Sequence, residues 1–201
     1  MCITIGREVR ARYTASTIRV YQAYQPEIAH AALRAGRFVP PFKMDRMTWI
    51  KPSFNWMMYR CGYGTKEGQE VVLGIDITRE GFEWALSNAV LSHFDQDVHE
   101  SQESWSDLVR KRLVRVQWDP ERNWRIEPIN GVRAIQIGLT GEAVERYVNE
   151  WVVGMEDVTP RAKEIHVALK SGATPPYLLD QEEIPYPLPD SILRHIVPAV
   201  C

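Results

Sequence analysis

The sequence predicts a single mixed α+β domain over residues 1–173, with a proline-rich C-terminal arm over residues 174–201. Three observations predict it. Strand-like runs and helical stripes alternate through the first half, strands then follow one another, and two helices close the pattern, which suits a mixed sheet architecture. The length of 201 residues, 45% hydrophobic and 25% charged, suits one globular core. From residue 174 the character changes, with six prolines between Pro175 and Pro198. Such a segment is expected to run extended on the domain or on a partner, without a helix.

The elements follow in order. Residues 17–23 alternate and are β-branched, so they read as a strand. Pro26 suits a first helical turn, residues 27–35 are helix-prone, and Gly36 offers the left-handed stop. Residues 47–51 look like a short strand. Ser53 is placed to cap a helix through Cys61, which Gly62 and Gly64 end. Residues 71–77 form a nearly continuous apolar run, as a buried strand does. Thr78 can cap the next helix, whose stripe is Phe82, Ala85, Leu86, Ala89 and Val90.

Residues 95–107 are acidic and read as a surface loop, with a short helix near residues 105–111. Residues 113–118 read as a strand, 119–123 as a turn and 133–139 as another strand. Thr140 then suits the cap of a helix with Ala143, Val144, Tyr147, Val148, Trp151 and Val152 on one stripe, closed by Gly154. A last helix is expected to start at Thr159-Pro160 and to end near Lys170.

Several classes are set aside by composition. No apolar run approaches the ~20 residues of a membrane span, so a protein with no membrane partner is expected. The N-terminus lacks the layout of a secretory signal. Cys2, Cys61 and Cys201 are widely spaced and odd in number, which argues against a disulfide scaffold and for a cytoplasmic setting. The net charge of −2 hides an asymmetry: residues 1–60 carry +7 and the remainder −9. A basic first third suggests a localised anion-binding face, or simply a half that pairs with the acidic one.

The richest stretch is residues 46–64, where two tryptophans, two tyrosines and a phenylalanine are interleaved with cations. Aromatic faces stack on rings and cations hold phosphates, so this composition suits a nucleotide or nucleic-acid pocket. A core helix with large side chains has the same composition. Phe54, Met57, Met58 and Cys61 form an apolar stripe, which leaves Lys51, Ser53, Trp56 and Tyr59 for a ligand. Arg19, on the first strand, adds a bidentate fork for an anion, and the Ser53 helix start adds backbone donors.

A second patch is Arg110, Lys111, Arg112 and Arg115, followed by Trp118 and Arg122. It could track a nucleic-acid backbone, though cations at a helix end also complement the dipole. The run from His93 to Glu100 holds five metal-capable side chains, but its spacing fits no metal motif, and a solvated acidic loop is the simpler reading. No metal is expected.

The string Thr48-Trp49-Ile50-Lys51-Pro52-Ser53-Phe54-Asn55-Trp56-Met57-Met58-Tyr59-Arg60 resembles the signature of the family catalogued as domain of unknown function 4291. Residues 18–24, 116–122 and 133–141 are similar to it too. More distantly, the layout resembles the ADP-ribosyltransferase-like superfamily, which implies that fold and NAD as a substrate. That likeness implies Arg19 and Tyr21 on the first strand and Ser53 at the nicotinamide ribose, with Trp56 or Tyr59 stacked on the leaving ring. Gln136 falls where the superfamily places a glutamate, which implies that Glu142 supplies the charge, that the reaction is slow, or that the protein only binds nucleotide. The expectation is an NAD-binding transferase acting on a nucleic acid or protein. A non-catalytic nucleotide or nucleic-acid-binding module is the alternative, and a metal-dependent hydrolase or nuclease the third.

Overall fold

A three-stranded antiparallel sheet carries the strand Thr17–Tyr24 at its edge. A computed structural model describes residues 6–175 and 182–197 of the chain. The elements are β1 (Arg10–Ala11), β2 (Thr17–Tyr24), α1 (Pro26–Ala35), β3 (Thr48–Ile50), α2 (Phe54–Cys61), β4 (Val71–Thr78), α3 (Arg79–Ser87) and β5 (Ala89–Leu91). They continue as α4 (Gln102–Lys111), β6 (Val114–Arg122), β7 (Pro128–Leu139), α5 (Glu142–Arg146), β8 (Val152–Asp157), α6 (Thr159–Ser171), β9 (Ile184–Pro185) and α7 (Asp190–Ile196). The sheet order β2-β4-β8 is antiparallel throughout. A four-stranded sheet runs β3-β7-β6-β5, parallel only between β5 and β6. This is a single α+β domain.

The two sheets meet where β2 and β3 converge. The Tyr21 N–H donates to the carbonyl of Lys51 at 2.7 Å, one residue past the end of β3. One apolar cluster includes Ile18, Val20, Leu73, Ile75, Ile77, Phe82, Leu86, Val114, Val116, Ile137 and Leu139. A second lies beneath α2 and α6, built from Tyr21, Phe54, Met57, Met58, Cys61, Tyr63, Val72, Val158, Ala162 and Ile165. The stripe expected to face inward on α2 is therefore the one that is buried.

Local chemistry sets most boundaries. Ser53 Oγ accepts from Trp56 N–H at 3.1 Å and caps α2, while Gly62 at φ 59° ends it. Thr78 Oγ1 accepts from Gly81 N–H at 3.1 Å and caps α3. Gly81 is bare because a Cβ there would come within 2.3 Å of the Trp151 ring.

Several expectations are corrected. Ala89 and Val90 do not extend the stripe of α3; Asn88 ends that helix and they enter β5 instead. The turn expected at residues 119–123 lies later, because β6 continues to Arg122 and Asn123 Oδ1 accepts from Arg125 N–H and Glu127 N–H. Thr140 gives its hydroxyl to the Leu113 carbonyl rather than capping α5. The helix there is α5 followed by a π-helical turn, Tyr147–Trp151, and Gly154 lies within β8 rather than after a helix. Thr159 does not cap α6 either, since its Oγ1 accepts from Val72 N–H at 2.8 Å.

The C-terminal segment carries a helix after all. Pro189 stands before α7, where its fixed φ suits a helix start, and β9 pairs with β1. Tyr186, Ile192 and Ile196 are buried in the main apolar cluster. Cys2 and Cys201, with residues 176–181 and 198–200 of the arm, lie outside the described residues, as does the side chain of His195. No helix among the described residues is long and apolar enough to cross a membrane.

Candidate functional site

The junction of the two sheets opens into a cavity of about 670 Å³. β3 delivers Trp49 and then Lys51 to its floor, and α2 delivers Trp56, Met57, Tyr59 and Arg60. β6 and β7 add Gln117, Asp119 and Gln136, and Lys66 stands beyond the end of α2. Its volume lies within the range usual for small-molecule sites.

Lys51 is buried, only 6% exposed, yet has no carboxylate within 4.0 Å among the described residues. Its ammonium donates to the Trp49 carbonyl at 3.2 Å and lies 5.8 Å from the centre of the Trp56 ring. Burial lowers its pKa from 10.5 to about 7, and Arg60 pushes the same way against the weaker pull of Asp119. The amine is thus substantially neutral near neutral pH.

Asp119 is the cavity's carboxylate. Its Oδ1 accepts from Gln117 Nε2 at 2.8 Å and its Oδ2 from Gln136 Nε2 at 2.7 Å. Gln117 and Gln136 are cross-strand partners, and Gln117 and Asp119 share one face of β6. Both amides give their N–H groups to the carboxylate, so their carbonyl oxygens are left as acceptors. Gln22 is fully used elsewhere: it donates to Thr48 Oγ1 at 2.8 Å and accepts from Tyr147 OH at 2.7 Å.

At the mouth, Arg60 is exposed and forms no ion pair among the described residues. Lys66 donates to the Arg60 carbonyl at 2.6 Å, against the negative end of α2. Tyr59 is 39% exposed, and Arg122 lies over its ring at 3.8 Å.

Of the expected site residues, Lys51, Trp56, Tyr59 and Gln136 come together here. Arg19, Tyr21 and Ser53 do not. Arg19 is held by Asp76 at 2.7 Å and by Glu156 at 2.9 Å on neighbouring strands, beside a separate cavity that Tyr21 also lines. Burial works against its charge, but these hydrogen bonds outweigh it and raise the pKa. Gly74 leaves room for the guanidinium, since a Cβ there would come within 2.3 Å of Arg19 Nη1. Ser53 lines a third cavity and donates to Glu121 Oε1 at 2.8 Å. The anion expected at the start of α2 is the chain's own: Glu183 accepts from Phe54 N–H at 2.7 Å.

Glu142 is exposed at the start of α5, off the Lys51 cavity wall, so the carboxylate beside Gln136 is Asp119. Arg110, Lys111 and Arg112 are exposed at the end of α4, but Arg110 is paired with Asp107, and Arg115 does not join the patch. Its guanidinium donates to the carbonyls of Val109 and Arg112 and closes that helix. Trp118 donates to the Ile196 carbonyl at 2.7 Å, and Arg122 is stacked on Tyr59. In the acidic loop, His99 is 8% exposed and its Nδ1 is bound to the Asp95 backbone, while His93 pairs with Ser92. Among the described residues no three His, Cys, Asp or Glu side chains gather to hold a metal.

Arg60 lies on the side of α2 opposite its apolar stripe, as the helical pattern predicts, whereas Gln117, Asp119 and Lys66 are not assigned to this cavity by the sequence reading. The signal for the first two was their two-residue spacing, hidden by reading Asp119-Pro120 as a turn. Among the curated proteins no match is found. The model of the family described as a domain of unknown function (DUF4291) matches residues 8–185, nearly the whole chain, and the protein therefore belongs to that family.

Proposed function

We propose that this protein binds a nucleotide in the Lys51 cavity. The observation that carries the reading is the convergence of aromatic, cationic and amide side chains on one cavity of about 670 Å³. The Tyr59 ring, exposed although Arg122 lies over one of its faces, and Trp56, edge-on to it at 6.3 Å, offer a surface for a base. Arg60 and Lys66 at the mouth suit a phosphate. The acceptor oxygens of Gln117 and Gln136, fixed by Asp119, suit the donor edge of a base or ribose hydroxyls.

An NAD-dependent ADP-ribosyltransferase-like activity is the more specific form of this reading. It asks that Arg19, Ser53 and Gln136 act on one ligand, and their placement in three cavities favours plain nucleotide binding instead. NAD remains a ligand to test beside AMP and ADP.

The test is thermal unfolding with increasing AMP, ADP or NAD, together with tryptophan fluorescence. A ligand that binds only the native state raises the midpoint by mass action, by roughly 2.7 kcal/mol of stability at a hundredfold excess over Kd. Arg60→Ala is expected to weaken binding about tenfold without lowering the unliganded midpoint. No shift with any nucleotide at millimolar concentration sinks the proposal.

A further inference from the structure

We propose that Lys51 is a nucleophile that captures an aldehyde carbon of a phosphate-bearing ligand as an imine. This rests on the nucleotide reading of the same cavity and names a ligand class for it: a phosphorylated molecule with an aldehyde, such as a nucleotide whose reducing sugar opens.

The geometry sets Lys51 apart from every other lysine. Lys43, Lys66, Lys111, Lys163 and Lys170 are all exposed, whereas Lys51 is buried on a cavity wall. A buried ammonium ordinarily sits beside a carboxylate. Lys51 has none within 4.0 Å among the described residues, and its one hydrogen bond, to the Trp49 carbonyl, leaves two of its three donor positions unused. Burial lowers the pKa of the amine to about 7, which makes its neutral, reactive form accessible near pH 7.

The remaining parts are present in the same cavity. Arg60 and Lys66 line the same cavity and are exposed, which suits a phosphate. Asp119 is the carboxylate on the wall, held by Gln117 and Gln136. The amine nitrogen adds to the carbonyl carbon, and the new oxyanion takes up the proton that nitrogen gives up. The hydroxyl then leaves as water, with Asp119 as the group that relays protons, and the carbon–nitrogen double bond forms. Amine and aldehyde thus become imine and water, with nothing oxidised or reduced.

The test uses the wild-type chain, so folding of a variant does not limit it. Pyridoxal 5′-phosphate, an aromatic aldehyde bearing a phosphate, is added in stoichiometric amount at pH 7.5. The imine is reduced with borohydride, and adducts are mapped by mass spectrometry. ADP-ribose in place of the aldehyde probe tests a nucleotide with a reducing sugar. The proposal expects one adduct per chain, at Lys51, at least tenfold above any other lysine, and slowed about tenfold by excess AMP. Lys51→Met should take up label only at the slow rate of exposed lysines.

Adducts spread over the exposed lysines with Lys51 unlabelled overturn the proposal, and nucleotide binding in the same preparation then shows that only the nucleophile has failed. Labelling of Lys51 that AMP does not slow upholds the nucleophile and overturns the nucleotide reading.

Discussion

At the scale of single residues, Lys51 is the one buried lysine among the described residues. It is a cation by default, placed where a cation is poorly solvated, with Arg60 nearby and no acid in contact. Its folded pKa lies below the unfolded value of 10.5, so the unfolded chain binds more protons between about pH 7 and 10.5. Stability contributed through this group therefore rises with pH across that window, by up to about 1.4 kcal/mol per pH unit. Lys51→Met is expected to lack this slope and to be more stable at pH 7 by on the order of 1–3 kcal/mol. Denaturant titrations of both proteins at pH 7 and pH 9 check it; parallel pH dependence would mean that Lys51 keeps its proton. Arg19 shows the opposite solution to burial. Its two carboxylate partners satisfy it structurally, so Arg19→Ala should lose roughly 1–3 kcal/mol while nucleotide affinity changes less than twofold. A large loss of affinity would return Arg19 to the binding site.

At the scale of elements, α2 explains how a short helix can be core on one face and cavity wall on the other. Its apolar stripe meets β2, β4 and α6, and the next residues round, Trp56, Tyr59 and Arg60, face the junction of the sheets. The helix start is closed twice, by Ser53 Oγ and by the Glu183 carboxylate. Ser53→Ala should cost about 1 kcal/mol of stability and leave ligand affinity unchanged, measured by denaturant unfolding and nucleotide titration. Much of this was legible in sequence, because caps and stripes are local: Ser53, Thr78, Gly36 and Gly62 mark their boundaries correctly. What was not legible depends on partners distant in the chain. Gly154 reads as a helix stop until β4 pairs beside it and makes it part of β8. Without β8, Glu156 has no reason to reach Arg19, so Arg19 looks free for a ligand. Asp119 likewise reads as a turn residue until β7 extends the pairing of β6 past it.

At the scale of the whole molecule, part of the uneven charge of the sequence is paired internally. Arg7, Arg12 and Arg19 pair with Asp95, Glu182, Asp76 and Glu156 of the acidic remainder. Lys51 and Arg60 of the same basic third pair with no acid among the described residues and line the cavity instead. The C-terminal segment completes this frame, with Tyr186 bonded to Arg79 and Glu83, and Ile192 and Ile196 in the core. Ile196→Ala should therefore cost about 2–5 kcal/mol, a loss visible in the thermal midpoint that an extended arm lying loosely on the surface would not show. The central claim is where a nucleotide goes, and a crystal structure of the protein with AMP tests it most directly. The base is expected against Tyr59 and Trp56, with the phosphate on Arg60, in the cavity that Lys51 lines. AMP in the cavity beside Arg19, or at the Ser53 end of α2, would contradict it.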